Sequence, residues 1–341
     1  MSSAVRFEHP GGPEVLRLVP VGRPDLGPDE VRIEVAAAGV NNADLLERRG
    51  QYPVPPGAPP GPGLECAGTV TAVGRDVRAW RPGDRVCALL AGGGYAEETV
   101  APAAQVMPVP PGLTMIEAAA LPEVACTVYS NLAMIAALRA GQTVLVHGAA
   151  GGIGSFATQW ATAVGARVVA TAGSDAKTEA ARGLGAVAAV NYRTADFVAA
   201  ALDATDGVGV DVVLDVVGAP YLRRNLECLA PDGHLVVIGG SVGVTGLDLW
   251  ELMSRRASIS ATLLRGRPAH QKAAIVAGVV RDVLPLVGSG AVRAVVDTVV
   301  PLDRADRAHE LLESGRTVGK VVLETDRGRL RRGGPRDGAR G

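Results

Sequence analysis

Three small residues, Ala149, Gly151 and Gly154, stand at the spacing of a G-x-G-x-x-G fingerprint inside TVLVHGAAGGIG, residues 143–154. The chemistry such a turn serves is the grip on a dinucleotide's pyrophosphate. Its first small residue allows a tight turn, its second lets backbone approach the phosphates, and its third lets helix pack close on strand. Here alanine takes the first place. Residues 155–164 read as the helix that follows, with its first N–H groups and positive dipole end turned to the phosphates. Ala150, Gly151, Gly152 and Ile153 are the candidates for that backbone grip. Glycine is common in this chain, 44 of 341 residues, so the residues downstream carry the argument further.

About twenty residues on, the next strand ends in Ala172-Gly173-Ser174, where an NAD-specific site wants an acid for the ribose hydroxyl. Removing the acid lifts repulsion against a 2′-phosphate, and a cation with small donors then binds it. Lys177 supplies the cation, and it is one of only three lysines among 34 basic residues. Tyr192 adds a hydroxyl, while Asp175 starts the following helix and is expected to cap it. These residues predict NADPH rather than NADH. The strand ending at Gly239 offers bare backbone to the nicotinamide ribose, and Asp215 is read as a strand-end acid capping a loop.

The elements that must position these residues alternate. Strands are expected at 143–147, 167–172, 187–191, 210–216, 234–238 and 258–263, with helices at 155–164, 176–184, 194–203, 219–229 and 247–256. Near-continuous Val/Ile/Leu strands in such a rhythm predict an α/β fold, a doubly wound parallel sheet covered on both faces. Residues 1–120 instead read as β-rich, with strands at 31–37, 69–73 and 84–90. Residues 52–62 hold six prolines in eleven and must be an irregular loop. After about residue 290, a strand at 294–300, a helix at 303–313 and a strand at 320–323 are expected to rejoin the first domain. The Arg-rich segment 326–341 reads as a disordered end.

Composition excludes several classes. Net charge is −1, giving no electrostatic case for nucleic acid. No run of 18 apolar residues spans a membrane, and the first ten residues lack a signal core, which predicts a cytoplasmic protein. The four cysteines, Cys66, Cys87, Cys126 and Cys228, form no C-x-x-C pair and read as buried reduced thiols. His147 and His234 read as structural. None of the five tyrosines has a lysine four residues later, which excludes the short-chain dehydrogenases.

With these segments stand GVNNAD (39–44), RGQYP (49–53), GLECAG (63–68), TLLR (262–265) and GKVVL (319–323). Over residues 5–325 the chain resembles the zinc-independent quinone oxidoreductases of the medium-chain dehydrogenase/reductase superfamily, closest to their p53-inducible subgroup. The resemblance implies a GroES-like catalytic domain (1–121 and 293–325) and a Rossmann domain (122–292). In zinc-dependent relatives a Cys stands where this chain has Asn41, a His where it has Leu64, and the third ligand near Glu123. A metal site is therefore not expected. The resemblance further implies that Asn41, Tyr52, Thr127, Leu263 and Leu264 line the nicotinamide and substrate cleft. It makes Tyr52 and Asn41 the catalytic candidates, and places Gly319 and Lys320 at the adenosine end. Gly92-Gly93-Gly94-Tyr95, where many relatives carry a bulky residue, is expected to leave that cleft open at one side.

Quinone reduction by hydride from NADPH is the reading these features favour. An enoyl reductase acting on an unsaturated ketone or thioester is the alternative, and a non-catalytic NADPH-binding protein is a further one. The apolar segment 258–263 would be an exposed edge strand, which predicts a homodimer.

Overall fold

The computed structural model describes residues 2–240 and 243–332. The chain divides into two compact units: residues up to Glu123 with Pro268–Ala277 and everything from Val296 on, and Val124–Arg267 with Gly278–Val295. Against the expected boundaries, residues 268–277 join the first unit. That boundary falls inside one continuous helical stretch, Ala269–Gly278, where composition gives no sign of it.

In the second unit a six-stranded, all-parallel sheet runs in the order Ala188–Asn191, Arg167–Ala172, Thr143–Val146, Val210–Asp215, Leu229–Val237, Ser258–Ala261. This is the doubly wound order, with the topological switch between the third and fourth strands in that list. The strands bury apolar runs because helices cover them, and Leu145, Val169, Val213, Leu229 and Leu235 share one core with Phe197 and Leu226. Ser258–Ala261 is an edge strand as its position in the pattern predicts.

The first unit is built on a seven-stranded sheet around Glu30–Val40, which pairs antiparallel with Glu65–Val73, Glu98–Pro102 and Lys320–Glu324. The first half of that long strand alternates buried and half-buried residues, and its second half is buried throughout. Val31, Ile33, Val35, Val70, Val86 and Leu323 share the core there, and the helix Met115–Ala119 packs over the strand. Its end therefore delivers Asn41 into a desolvated place. Contrary to the expected disordered end, residues Asp326–Arg332 form a helix whose Gly328 N–H is held by the Thr325 hydroxyl at 3.1 Å. The rest of that segment lies outside the described residues.

Candidate active site

The glycine turn of the second unit forms as its spacing demands, with one change. The left-handed residue is Gly148, at φ +64°, so it makes the tight turn expected of position 149. Ala149 is buried and donates its N–H to Thr171 O at 2.9 Å, which is why a small side chain suffices there. A Cβ on Gly154 would stand 2.3 Å from Gly148 O and 2.5 Å from Ala149 Cα, so the third glycine is fixed by helix–strand packing. Gly151 caps the helix Gly152–Ala163, which has no side-chain cap and no acid in its first turn. Its leading N–H groups are thus left to an anion rather than to the protein itself.

At the end of the next strand the structure joins three residues, Gly173, Tyr192 and Arg193. The Tyr192 hydroxyl lies 2.7 Å, and Arg193 Nε 3.5 Å, from where a Cβ on Gly173 would stand. Any larger residue at 173 would displace that hydroxyl. Arg193 is a second cation that spacing alone did not single out; the signal was its place directly after Tyr192. Ser174, not Asp175, is the N-cap of the helix Asp175–Gly183, accepting from Lys177 N at 3.4 Å. Asp175 instead accepts from Asn191 Nδ2 at 2.8 Å, which ties the acid down. Lys177 is half-buried on the first turn of the same helix.

The first unit contains a buried ionic cluster that the sequence pattern does not announce. Antiparallel register pairs Val321 with Val40 and so brings Lys320 beside Asn41. Lys320 Nζ donates to Asn41 Oδ1 and to Glu65 Oε1, each at 2.5 Å, while Asn41 Nδ2 donates to Glu65 Oε1 at 2.9 Å. Lys320 was expected at the adenosine end; its ammonium instead sits on the residue expected to face the acceptor. Glu65 is fully buried, and its second oxygen accepts the Glu123 backbone N–H at 2.9 Å. Gly39 makes the room, because a Cβ there would stand 2.2 Å from Glu65 Oε1.

Behind this cluster Asp44 accepts from Asn41 N, Gly63 N and the Tyr95 hydroxyl at 2.8, 2.9 and 3.1 Å. Burial pushes its carboxyl up to about 6, against the pull of the two backbone N–H groups. The His309 ring spans Arg48 and Tyr95: its Nδ1 faces Arg48 Nη1, and its Nε2 the Tyr95 hydroxyl, both at 3.3 Å. Arginine only donates, so Nδ1 accepts and Nε2 carries the proton. Burial and the neighbouring guanidinium of Arg48 hold His309 neutral, down to about 3. The Glu123 carboxyl is raised to about 8, first by burial and then by the Glu65 charge, with Lys320 opposing.

Other expected residues fall as follows. Tyr52 is half-buried on the irregular proline loop. Thr127 is buried, and its carbonyl accepts from Asn131 Nδ2 at 2.8 Å; Asn131 Oδ1 in turn accepts from Thr262 Oγ1 at 2.7 Å. This ties Thr127 to the segment bearing Leu263, which is exposed, and Leu264, which is buried. Gly239 lies exposed just past the strand Leu229–Val237. Residues 92–94 are buried: Gly93 N and Gly94 N donate to Gly61 O and Gly63 O at 2.8 and 3.0 Å, and Tyr95 is fully buried. Asp215 caps its loop through Val217 N at 2.6 Å, and buried His147 spans Thr171 and Asn225, both structural. All four cysteines are buried. Among the described residues no three of His, Cys, Asp and Glu are grouped to hold a metal.

Residues 27–111 match the alcohol dehydrogenase GroES-like domain family, and residues 184–323 the zinc-binding dehydrogenase family. A quinone oxidoreductase of Pseudomonas aeruginosa is 36% identical over 95% of this chain and 99% of its own. The crystal structure of Escherichia coli quinone oxidoreductase complexed with NADPH is 34% identical, with a TM-score of 0.83 over 94% of this chain and 99% of that one. The CurK enoyl reductase superposes with a TM-score of 0.83 at 29% identity, over 95% and 99% of the two chains. A Rossmann sheet with a GroES-like partner defines a medium-chain dehydrogenase/reductase, and within that superfamily this chain belongs to the quinone oxidoreductases. Asn41 and Leu64, the residues expected to stand in place of zinc ligands, are a buried amide and a buried alkyl group.

Proposed function

We propose that this protein reduces quinones with NADPH by hydride transfer and without zinc. The observation that carries the reading is the ammonium of Lys320, held on Glu65 and on Asn41, a residue that the resemblance puts in place of a zinc-ligating cysteine. An alkoxide destined for oxidation needs a Lewis acid, which a side-chain amide and a leucine do not provide. An activated acceptor needs chiefly alignment and exclusion of water. Bound NADPH supplies the hydride. Gly152 and Ile153 offer their uncapped N–H groups to its pyrophosphate while Gly151, whose N–H donates to Gly148 O at 2.9 Å, shapes the turn, and Lys177, Tyr192 and Arg193 hold its 2′-phosphate beside Gly173 and Ser174. Asn41 keeps one amide N–H for the acceptor's oxygen, since its other one is committed to Glu65.

The assay is oxidation of NADPH against NADH with benzoquinone, naphthoquinone and a simple enone. NADPH consumption with quinones at least tenfold above that with NADH is expected. A preference for NADH would remove the roles given to Lys177, Tyr192 and Arg193, and stoichiometric zinc in active protein would remove the metal-free reading. Enoyl reduction is the second reading, supported by the likeness to CurK. Tyr52→Phe separates the two: quinone turnover is expected to survive, whereas enone turnover falls sharply if the phenol protonates the α-carbon.

We further propose a homodimer, in keeping with a cytoplasmic enzyme. The helix Leu249–Arg255, which precedes the edge strand Ser258–Ala261 in the chain, exposes Leu249, Trp250 and Met253. An exposed apolar group of this kind and an open edge strand are the signatures of a covered face. Light scattering after gel filtration is expected to give twice the 34.8 kDa chain mass.

A further inference from the structure

We infer that Tyr95 and His309 are positioning residues: through Asp44 they set where Asn41 and the exit of the proline loop stand, and so the geometry offered to the acceptor. The inference rests on the reductase reading above and names what aims the amide which that reading gives to the acceptor's oxygen. All the groups concerned belong to the first unit.

Asn41 is the N-cap of the short helix Asn42–Arg48. Asp44 grips the start of that helix, accepting from Asn41 N at 2.8 Å. At its other end Arg48 is almost wholly buried; its Nη1 faces His309 Nδ1 at 3.3 Å, and its Nη2 meets Glu313. His309 Nε2 reaches the Tyr95 hydroxyl at 3.3 Å, and that hydroxyl reaches Asp44 Oδ2 at 3.1 Å. The bonds therefore form a ring that leaves the helix at one end and rejoins it at the other. Each has a single direction: Arg48 donates to Nδ1, Nε2–H to the phenol, and the phenol to the Asp44 carboxyl. Turning the helix about its axis would break one of them.

The same residues hold the proline loop. Asp44 Oδ1 accepts from Gly63 N at 2.9 Å, and Tyr95 N donates to Pro62 O at 3.1 Å. A Cβ on Gly63 would stand 2.5 Å from Tyr95 N, so the loop exit is seated without slack. Asn41 and the loop bearing Tyr52 thus take their relative placement from Asp44, whose own place Tyr95 and His309 fix. Asp44, Tyr95 and His309 are all fully buried. Polar groups so far from water are costly, and packing alone would be served by apolar ones. Orientation accounts for them, since a displacement of about 1 Å near a reacting centre costs up to about a hundredfold in rate.

The test uses the full chain with Tyr95→Phe, His309→Leu and His309→Gln. Phenylalanine keeps the ring and removes only the hydroxyl. A glutamine amide still accepts from Arg48 and donates to Tyr95, which leucine does not. Turnover is counted per folded molecule by NADPH titration. Y95F and H309L are expected to lose about tenfold in kcat/KM for naphthoquinone, with NADPH affinity unchanged, and H309Q to recover most of that loss. Where a histidine variant does not fold, Y95F alone decides. A second readout uses no cofactor: nitrogen NMR of the histidine rings in the ligand-free protein. His309 is expected as the neutral Nε2–H tautomer, its Nε2–H resonance displaced in Y95F. A merely structural role lowers the melting temperature and leaves kcat/KM per folded molecule unchanged. That result in Y95F, or an Nδ1–H tautomer of His309, overturns the inference and leaves the reductase reading standing. Wild type that reduces neither quinone nor enone overturns the reductase reading, and this inference with it.

Discussion

The two units bear their polar chemistry in opposite ways. In the second, the turn at Gly148–Gly154 is made of backbone and small side chains, and its cations, Lys177 and Arg193, stand apart from it. In the first, Glu65, Lys320 and Asn41 form an ion pair and amide locked together away from water, backed by Asp44, Tyr95 and His309. One arrangement leaves its N–H groups open to an anion from outside. The other pairs its charges internally. A dinucleotide site must be vacant of competing partners to bind, whereas a buried charge must be paired to exist at all.

Breaking the internal pair is expected to have the largest effect. Lys320→Met strands a fully buried Glu65 carboxylate, and urea unfolding is expected to show a loss of about 3–5 kcal/mol. Lys320→Met with Glu65→Gln is expected to recover most of it; a single variant as stable as wild type would mean that the pair is not desolvated. The turn responds through geometry instead. Gly154→Val places atoms 2.3 Å from Gly148 O, so backbone must move, costing about 1–3 kcal/mol by analogy with overpacked sites. Titration is expected to show NADPH affinity lowered more than tenfold. Unchanged affinity would detach the turn from the cofactor.

Lys177→Ala and Arg193→Ala sharpen the contrast on the second unit alone. Each is expected to weaken NADPH about tenfold, close to 1.4 kcal/mol, while leaving NADH binding untouched. Equal losses for both cofactors would move these cations away from the 2′-phosphate.

The smallest expected effect is a pH trend. The Glu123 carboxyl is raised from 4.5 to about 8 on folding, so the folded state holds a proton that the unfolded chain releases. Its contribution is full below about pH 4.5 and is lost as pH rises towards 8. Urea midpoints of wild type should drift down across that window. Asp44, raised from 3.8 to about 6, adds to the lower part. E123Q is expected to keep only the Asp44 portion; identical curves would refute the shift.

Much of the second unit was legible in the sequence because its signals are local. Strand, turn and helix follow one another within a dozen residues, and the missing acid and Lys177 lie at set distances downstream. What spacing hid was which neighbour carries the strain: alanine at 149 is tolerated because Gly148 turns the chain. It also hid which residue caps, since Ser174 and Asp175 are adjacent and only geometry chooses between them. In the first unit, resemblance pointed to Asn41 but put Lys320 elsewhere. Their meeting is decided by strand register, a property of pairs almost 280 residues apart that no local pattern encodes. Glu65 was hidden for the same reason, and Gly39, the space that admits it, was one glycine among many.

That register also orders events in time. Lys320 emerges from the ribosome long after Glu65, and until its strand docks on Glu30–Val40 the carboxylate at the heart of the first unit has no ammonium to meet. The early β-rich segment must therefore wait, wet and incompletely closed, while the whole Rossmann sheet is made. Closing the unit and arming its site are a single late event, performed by one short strand.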